Sequence, residues 1–157
     1  MDSLAEVERT SSMAFGSDGQ TALNEILQVA KAIKEGKGGV RGDASRATGA
    51  WAQAVEAVNE MAESFEAPIS DGVAMLRRIV LNDFTSKAKG TYPGFCGELV
   101  ALIGDASSKF VTLQDAAEEI SKGDLGRLEA FKAIGNGAGR RCEQDRLLPA
   151  FIRMMEN

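Results

Sequence analysis

The stretch that decides the fold is residues 47–65, ATGAWAQAVEAVNEMAESF. Its apolar side chains recur every three or four residues, at Ala47, Trp51, Val55, Val58, Ala62 and Phe65. This spacing places them on one face of an α-helix. The opposite face is polar, as a solvated helix face should be, with Gln53, Glu56, Asn59, Glu60 and Glu63. The stretch therefore predicts a long amphipathic helix at the centre of a helical protein.

Similar stripes on either side predict further helices. One precedes it, with Leu23, Ile26, Leu27, Ala30 and Ile33, and another follows it, with Val73, Leu76, Ile79, Val80 and Phe84. Residues 77–81, RRIVL, could instead form a short strand, but the spacing of three and four favours a helix, because no alternating partner strand is visible.

Glycine and proline predict where the helices end. Gly36, Pro68, Gly123 and the cluster 135–139 are the expected stops. The expected starts are Asp43 or Ser45, Ser70 or Asp71, Thr112 and Asp124. Pro149 predicts either a kink or a helix that begins there. We therefore expect an all-α fold, an irregular single-domain bundle of about six or seven short helices over residues 20–157, preceded by a flexible N-terminal arm over residues 1–19.

Composition limits the classes of function. The net charge of −5 argues against a dedicated nucleic-acid-binding domain, which is normally basic. The longest apolar run, Leu99–Ile103, is far shorter than a membrane span, and the acidic residues 1–6 do not resemble a secretory signal. We expect a soluble, cytoplasmic protein without a membrane partner, although a secreted effector or adaptor exported without a leader would look the same.

The chain contains no histidine, which removes the commonest general base and the commonest metal ligand. The two thiols, Cys96 and Cys142, have no visible base beside them, so we expect both to be inert. No glutamate set has the spacing of a helical di-metal site. We therefore predict that the protein is not an enzyme, with no catalytic residue, no metal and no cofactor.

Two basic groups are candidates for contact with an anion or with nucleic acid. They are Lys37, Arg41 and Arg46 around the glycine-rich loop 36–42, and Arg140 with Arg141 near the C-terminus. Positive charge beside flexible glycines can follow a phosphate backbone, but no aromatic residue is interleaved to stack on bases. A solvated helix end is the better explanation of the first group, so nucleic acid is not the favoured partner.

The C-terminal stripe of Phe151, Ile152 and Met155 is the candidate protein interface, since a terminal apolar helix docks either in its own bundle or in a neighbour's groove. The leading hypothesis is a non-enzymatic helical protein that acts through protein–protein association, as a homo-oligomer that serves as a structural or assembly subunit. The alternatives are a coat or nucleoprotein subunit that binds nucleic acid through the basic groups around Lys34–Arg46 and Arg140–Arg146, and the leaderless effector or adaptor.

Overall fold

The structure, a computed structural model, describes the backbone of residues 2–157 and the side chains of residues 16–157. Every regular element in this part of the chain is helical, which confirms the all-α prediction. The elements are α1 (Asp2–Lys34), a short 3-10 helix (Ala44–Arg46), α2 (Gly49–Val80), α3 (Gly94–Ser121), α4 (Leu128–Ala133) and α5 (Leu147–Glu156). Gly16 interrupts α1 with non-helical backbone angles.

The described residues form five α-helices rather than six or seven short ones, because two expected boundaries lie inside longer helices. Pro68 does not stop α2: its ring is fully buried, and burial of this part of the helix offsets the hydrogen bond that proline cannot donate. Thr112 does not start a helix either. Its hydroxyl donates to the carbonyl of Ser108, one turn earlier within α3. The side chain therefore bonds to the backbone inside a helix and does not cap the start of one.

Other expected boundaries are confirmed. Gly36 adopts a left-handed conformation after α1, where its amide donates to Ile33 O and the amide of Lys37 donates to Ala32 O. Gly123 ends α3 with the same pair of bonds, from Gly123 to Ile120 and from Asp124 to Glu119. Both are Schellman caps. Residues 77–80 belong to α2, so the helical interpretation of that segment is correct and the strand alternative is wrong.

Pro149 lies in the first turn of α5, where its missing N–H removes no bond from the helix. The helix begins two residues earlier than Pro149. Asp145 precedes it and its Oδ1 accepts from the amides of Leu147 (3.1 Å) and Leu148 (3.2 Å), as a capping carboxylate does. The backbone amide of Arg141 lowers the pKa of Asp145, and the amides of Leu148 and Leu147 add to this effect.

The chain divides into two compact units, one of residues 1–81 and 87–104 and the other of residues 82–86 and 105–157. In the first unit, Val55 packs with Ala22 and Ala47 between α1, the 3-10 helix and α2. Gly42 is required here, because a β-carbon at this position would lie 2.8 Å from Cγ1 of Val55. The buried Glu25 accepts from the amide of Asp43 and pairs with Arg46, which fixes the loop after α1.

A return segment, residues 87–93, carries the chain back along α2 before α3 begins. Phe95 at the start of α3 contacts Phe65, with ring centroids 5.9 Å apart. Further along, a β-carbon at Gly72 would lie 3.1 Å from Cδ1 of Ile103. Residue numbers therefore increase in the same direction along both helices, so α2 and the first part of α3 run parallel.

The second unit has its own core, in which Ala116, Phe131, Leu148 and Met155 are buried. Phe131 meets Phe151 edge to face, at 6.5 Å between ring centroids. The expected arm over residues 1–19 falls mainly on residues 1–15, whose side chains lie outside the described part of the chain. The division of the chain into an arm over residues 1–19 and a helical domain over residues 20–157 stays a prediction. None of the described helices has the length and hydropathy that crossing a bilayer requires.

Candidate protein-association surface

The loop between α1 and α2 is held against α2 by side chains of that helix. Asn59 accepts from the amide of Gly42 and donates to its carbonyl, each at 2.8 Å. Glu66 accepts from the amide of Gly39 at 3.1 Å and from the guanidinium of Arg41 at 3.0 Å. Because Arg41 and Gly39 both donate to it, the pKa of Glu66 lies below its usual value, and the Glu66 carboxylate raises the pKa of Arg41.

Where α1 ends, this loop and α2 enclose a groove of about 500 Å³. Its walls are mainly apolar or backbone, and they comprise Ile33, Gly36, Lys37, Gly38, Gly39, Ala62, Phe65, Glu66, Ile69 and Ser70. The groove lies at the boundary between the part of α2 that α1 covers and the part beyond it.

Along the groove and beyond it, the described residues leave one face of α2 uncovered. Six large apolar side chains on this face, spaced by three or four residues, are each at least two-fifths exposed: Met61, Phe65, Ile69, Val73, Leu76 and Val80. They follow the same side of the helix for about five turns. The neighbouring side of α2, with Gly72 and Met75, packs toward α3.

The first part of α3 carries a second exposed apolar row, formed by Phe95, Leu99 and Leu102. The Phe65–Phe95 contact joins it to the row on α2. Together these nine side chains form one surface of the first unit, which we call the α2/α3 face. Contiguous exposed apolar surfaces of this kind are candidates for contact with another molecule.

The three residues expected to form an interface lie elsewhere. Met155 is buried in the core of the second unit, and Phe151 and Ile152 are partly buried against the same core. A β-carbon at Gly139 would lie 2.8 Å from Cδ1 of Ile152, so the glycine-rich turn packs directly on this row. The C-terminal stripe therefore packs on its own unit.

Four of the five basic candidates have a carboxylate neighbour in the structure. Lys37 pairs with Glu35 at 2.7 Å and Arg41 with Glu66 at 3.0 Å, while Arg46 pairs with the buried Glu25. In the second unit, Arg141 lies 3.9 Å from Asp145 and Arg140 is exposed. The two basic groups belong to different units. The charge that each presents to an anion is reduced by these pairs.

One buried carboxylate in the first unit holds a neighbouring segment of the chain in place. Asp71 Oδ2 accepts from the amides of Lys89 (2.7 Å) and Gly90 (3.2 Å) and from the hydroxyl of Tyr92 (2.6 Å). The Tyr92 hydroxyl and these amides hold the pKa of Asp71 below its usual value, and the same bond raises the pKa of Tyr92. All three donors come from the return segment, so Asp71 fastens that segment to α2.

Within the described residues, no cluster of three or more cysteine, aspartate or glutamate side chains is arranged to hold a metal ion. Cys96 is buried and Cys142 is exposed, and the two thiols are unpaired. Comparison with family models, with curated proteins and with solved structures finds no match for this chain.

The sequence pattern places Val73, Leu76 and Val80 on the apolar stripe of a third helix, but it does not indicate that this stripe is exposed. The exposed fractions of these residues are 41%, 48% and 81%. One signal was available in the sequence. From Pro68 to Val80 the apolar residues cover an arc of α2 wider than the roughly 100° that one core-facing stripe needs. A helix with so wide an apolar arc has two faces to cover.

Proposed function

We propose that this chain is a non-enzymatic helical protein that acts through protein–protein association, as a self-associating subunit of a larger assembly. The observation that carries the proposal is the α2/α3 face. Its nine side chains are on average about half exposed. At full areas of somewhat under 200 Å² each, they offer on the order of 800 Å² of apolar surface. The largest apolar patch of a typical monomer is about 300–600 Å².

The core of the second unit supports the choice of this face over the C-terminal stripe. Phe151, Ile152 and Met155 already contact apolar partners in their own unit, so little further area remains to be removed from water there. The proposed function is therefore still protein–protein association, but its contact surface is the α2/α3 face and not the stripe on α5. It places the assembly in the cytoplasm, where the free thiols of Cys96 and Cys142 would stay reduced.

The coat or nucleoprotein alternative has weaker support. Glu35, Glu66 and Glu25 pair with the three basic residues around the glycine-rich loop. A phosphate would have to compete with these carboxylates for each cation. A fluorescent single-stranded oligonucleotide titrated at low salt tests this alternative, with Arg140→Glu/Arg141→Glu as the comparison. Absence of binding at low salt rejects it, because phosphate contacts are strongest there.

Light scattering after size-exclusion chromatography, over a concentration series, tests the association itself. We expect a molar mass that rises above the 16.6 kDa of one chain as concentration increases. Leu76→Glu should keep the mass near that of one chain, because it places a charge in the middle of the face. Ala74→Glu, an exposed position on another side of α2, is the matched control and should associate like the unaltered protein. A mass that stays at one chain up to about 1 mM would overturn the proposal.

A further inference from the structure

We infer that the first unit is a tandem repeat of one building block, which consists of a helix and the segment that returns along it. The first copy is α1 with the loop 35–48, and the second is α2 with the return segment 87–93. Equivalent residues of the two copies are 45 or 46 positions apart. The repeat goes beyond the proposed function and does not depend on it.

In the first copy, a buried carboxylate holds the loop against the helix. Glu25, which is 5% exposed, accepts from the amide of Asp43 at 3.0 Å. It also pairs with the guanidinium of Arg46. A buried carboxylate needs such partners, because an ionised group without them is costly to take out of water. The two donors lie 18 and 21 residues after the carboxylate.

The second copy has the same arrangement. Asp71, which is 7% exposed, accepts from the amide of Lys89 and from the hydroxyl of Tyr92. These donors also lie 18 and 21 residues after their carboxylate, and each of the three positions is 46 residues beyond its counterpart in the first copy. The side-chain donor is a phenol instead of a guanidinium, but it comes from the same position. The carboxylate and both of its donors therefore recur together.

Buried apolar residues recur around each carboxylate. They lie three residues before it and four residues after it, and they are Ala22 and Val29 in the first copy and Pro68 and Met75 in the second. All four are at most 3% exposed. Spacings of three and four residues place them on the same side of the helix as the carboxylate. The same side of each helix is therefore covered in both copies.

The helix that follows each copy begins and packs in the same way. α2 and α3 each begin at a glycine with a positive φ, Gly49 and Gly94. Six residues later each helix has a buried valine, Val55 and Val100. Val55 packs between α1 and α2, and Val100 packs with Met75 between α2 and α3. In both cases the first half of a helix packs on the helix of the preceding copy.

The repeat ends in α3. The position 45 residues beyond Asp71 holds Ala116, which has no carboxylate to hold a returning chain. Ala116 is buried in the core of the second unit, and the residues after α3 lead into α4. The first half of α3 therefore covers the second copy, and no third copy follows it in the described residues.

The exposed apolar row on α2 has a counterpart on α1. Leu23 and Leu27 are the residues equivalent to Ile69 and Val73. Leu27 is 55% exposed, and Ile69 and Val73 are 52% and 41% exposed. Part of the α2/α3 face is therefore a property of the building block. Repeat proteins bind their partners on surfaces that successive units build up.

Insertion of a further building block tests the repeat. A second copy of residues 49–93 is placed between Pro93 and Gly94, so that every new helix contact uses surfaces that already pack in the first unit. The stability of a repeat array is a sum over its units and their contacts. The longer chain should therefore unfold in one transition, with a urea m-value and a helical ellipticity per molecule about 1.3-fold those of the unaltered protein.

The same 45 residues inserted there in scrambled order are the matched control. They should leave the m-value and the helical ellipticity unchanged, because they add length without a surface that packs. An in-phase insertion that matches the scrambled control, or that is insoluble, would overturn the repeat.

Removal of each buried charge tests whether the two carboxylates are equivalent. Glu25→Gln should accelerate hydrogen exchange at the amide of Asp43 about tenfold, and Asp71→Asn should do the same at Lys89, because a charge-assisted bond becomes a neutral one. Each variant should leave the amide of the other copy unchanged. Glu56→Gln, which removes an exposed carboxylate of α2, is the control and should affect neither amide.

The outcomes separate the repeat from the proposed function. Acceleration at only one of the two amides would mean that the carboxylates are not equivalent, and the repeat would be wrong. Light scattering measures association independently. A chain that stays monomeric contradicts the proposed function and leaves the repeat intact, whereas a failed insertion leaves the association intact.

Discussion

The two halves of α2 have the same kind of apolar face and opposite surroundings. Val55, Ala62, Ile69 and Leu76 are spaced by seven residues and therefore follow one side of the helix. Val55 and Ala62 are 0% and 1% exposed, whereas Ile69 and Leu76 are 52% and 48% exposed. Because α1 ends at Lys34, it and its loop cover only the first half. The comparison shows that an apolar stripe predicts the helix but not its burial, which depends on how far the neighbouring helix extends.

The sharpest way to break this comparison is to put the same charge into each half. Val55→Asp should lower the free energy of unfolding by at least about 4 kcal/mol, because it buries a carboxylate without a partner. Ile69→Asp should change it by less than about 0.5 kcal/mol and abolish self-association. Urea unfolding followed by circular dichroism gives the first quantity. Equal destabilisation at the two positions would mean that the second half of α2 is also covered within the chain.

A second prediction concerns how closely the loop approaches the covered half. Gly42→Ala should destabilise the fold by about 1–3 kcal/mol, because the added methyl would meet Val55 at 2.8 Å and the backbone oxygen of Glu25 at 3.3 Å. Gly38→Ala is the control. Its β-carbon would be in ordinary contact with Glu66 at 3.6 Å, so it should be nearly neutral. Thermal unfolding of both variants measures the difference, and equal midpoints would contradict the packing.

The clamp between Asp71 and the return segment gives a prediction about pH. The folded pKa of Asp71 is lowered, so its contribution to stability is complete above its unfolded pKa, about 3.9, and is lost as pH falls through the folded value. The pKa of Tyr92 is raised, so its contribution is complete below about pH 10 and is lost as pH rises through the folded value.

Tyr92→Phe removes the hydroxyl common to both effects. We expect it to lower the urea midpoint at neutral pH, to reduce the loss of stability in acid and to eliminate the contribution of this tyrosine to the loss above pH 10. Urea midpoints from about pH 3 to pH 11 measure both the loss of stability in acid and the loss in base. A variant whose pH profile is parallel to that of the unaltered protein would show that the bond contributes nothing.

The smallest expected effect is at the ion pair that borders the groove. Glu66→Gln should keep an acceptor for the amide of Gly39 and lose the pairing with Arg41, so overall stability should change little. Hydrogen exchange at Gly39 should become faster, because the loop loses one of its attachments to α2. Glu60→Gln, which removes another exposed carboxylate of α2, is the control and should leave that exchange rate unchanged.

Local signals predicted much of the fold. The caps at Gly36 and Gly123 could be predicted because they depend on backbone conformation that glycine favours at those residues. The continuity of α2 through Pro68 could not, since the sequence does not show that the proline ring is buried. The interface prediction at Phe151, Ile152 and Met155 had the same difficulty. These residues do form one apolar stripe of a helix, but only the positions of Phe131 and Leu148 show that the stripe packs on the core of its own unit.

Residues 82–86 belong with residues 105–157, although residues on both sides of them belong to the other unit. Phe84 is stacked on Phe110, at 5.0 Å between ring centroids, and this contact joins the short segment to α3. A gene cut after codon 104 would leave Phe84 without its stacking ring, and one started at codon 105 would leave Phe110 in the same condition. A recombination or duplication event that separates residues 1–104 from residues 105–157 would therefore lose this stacking contact.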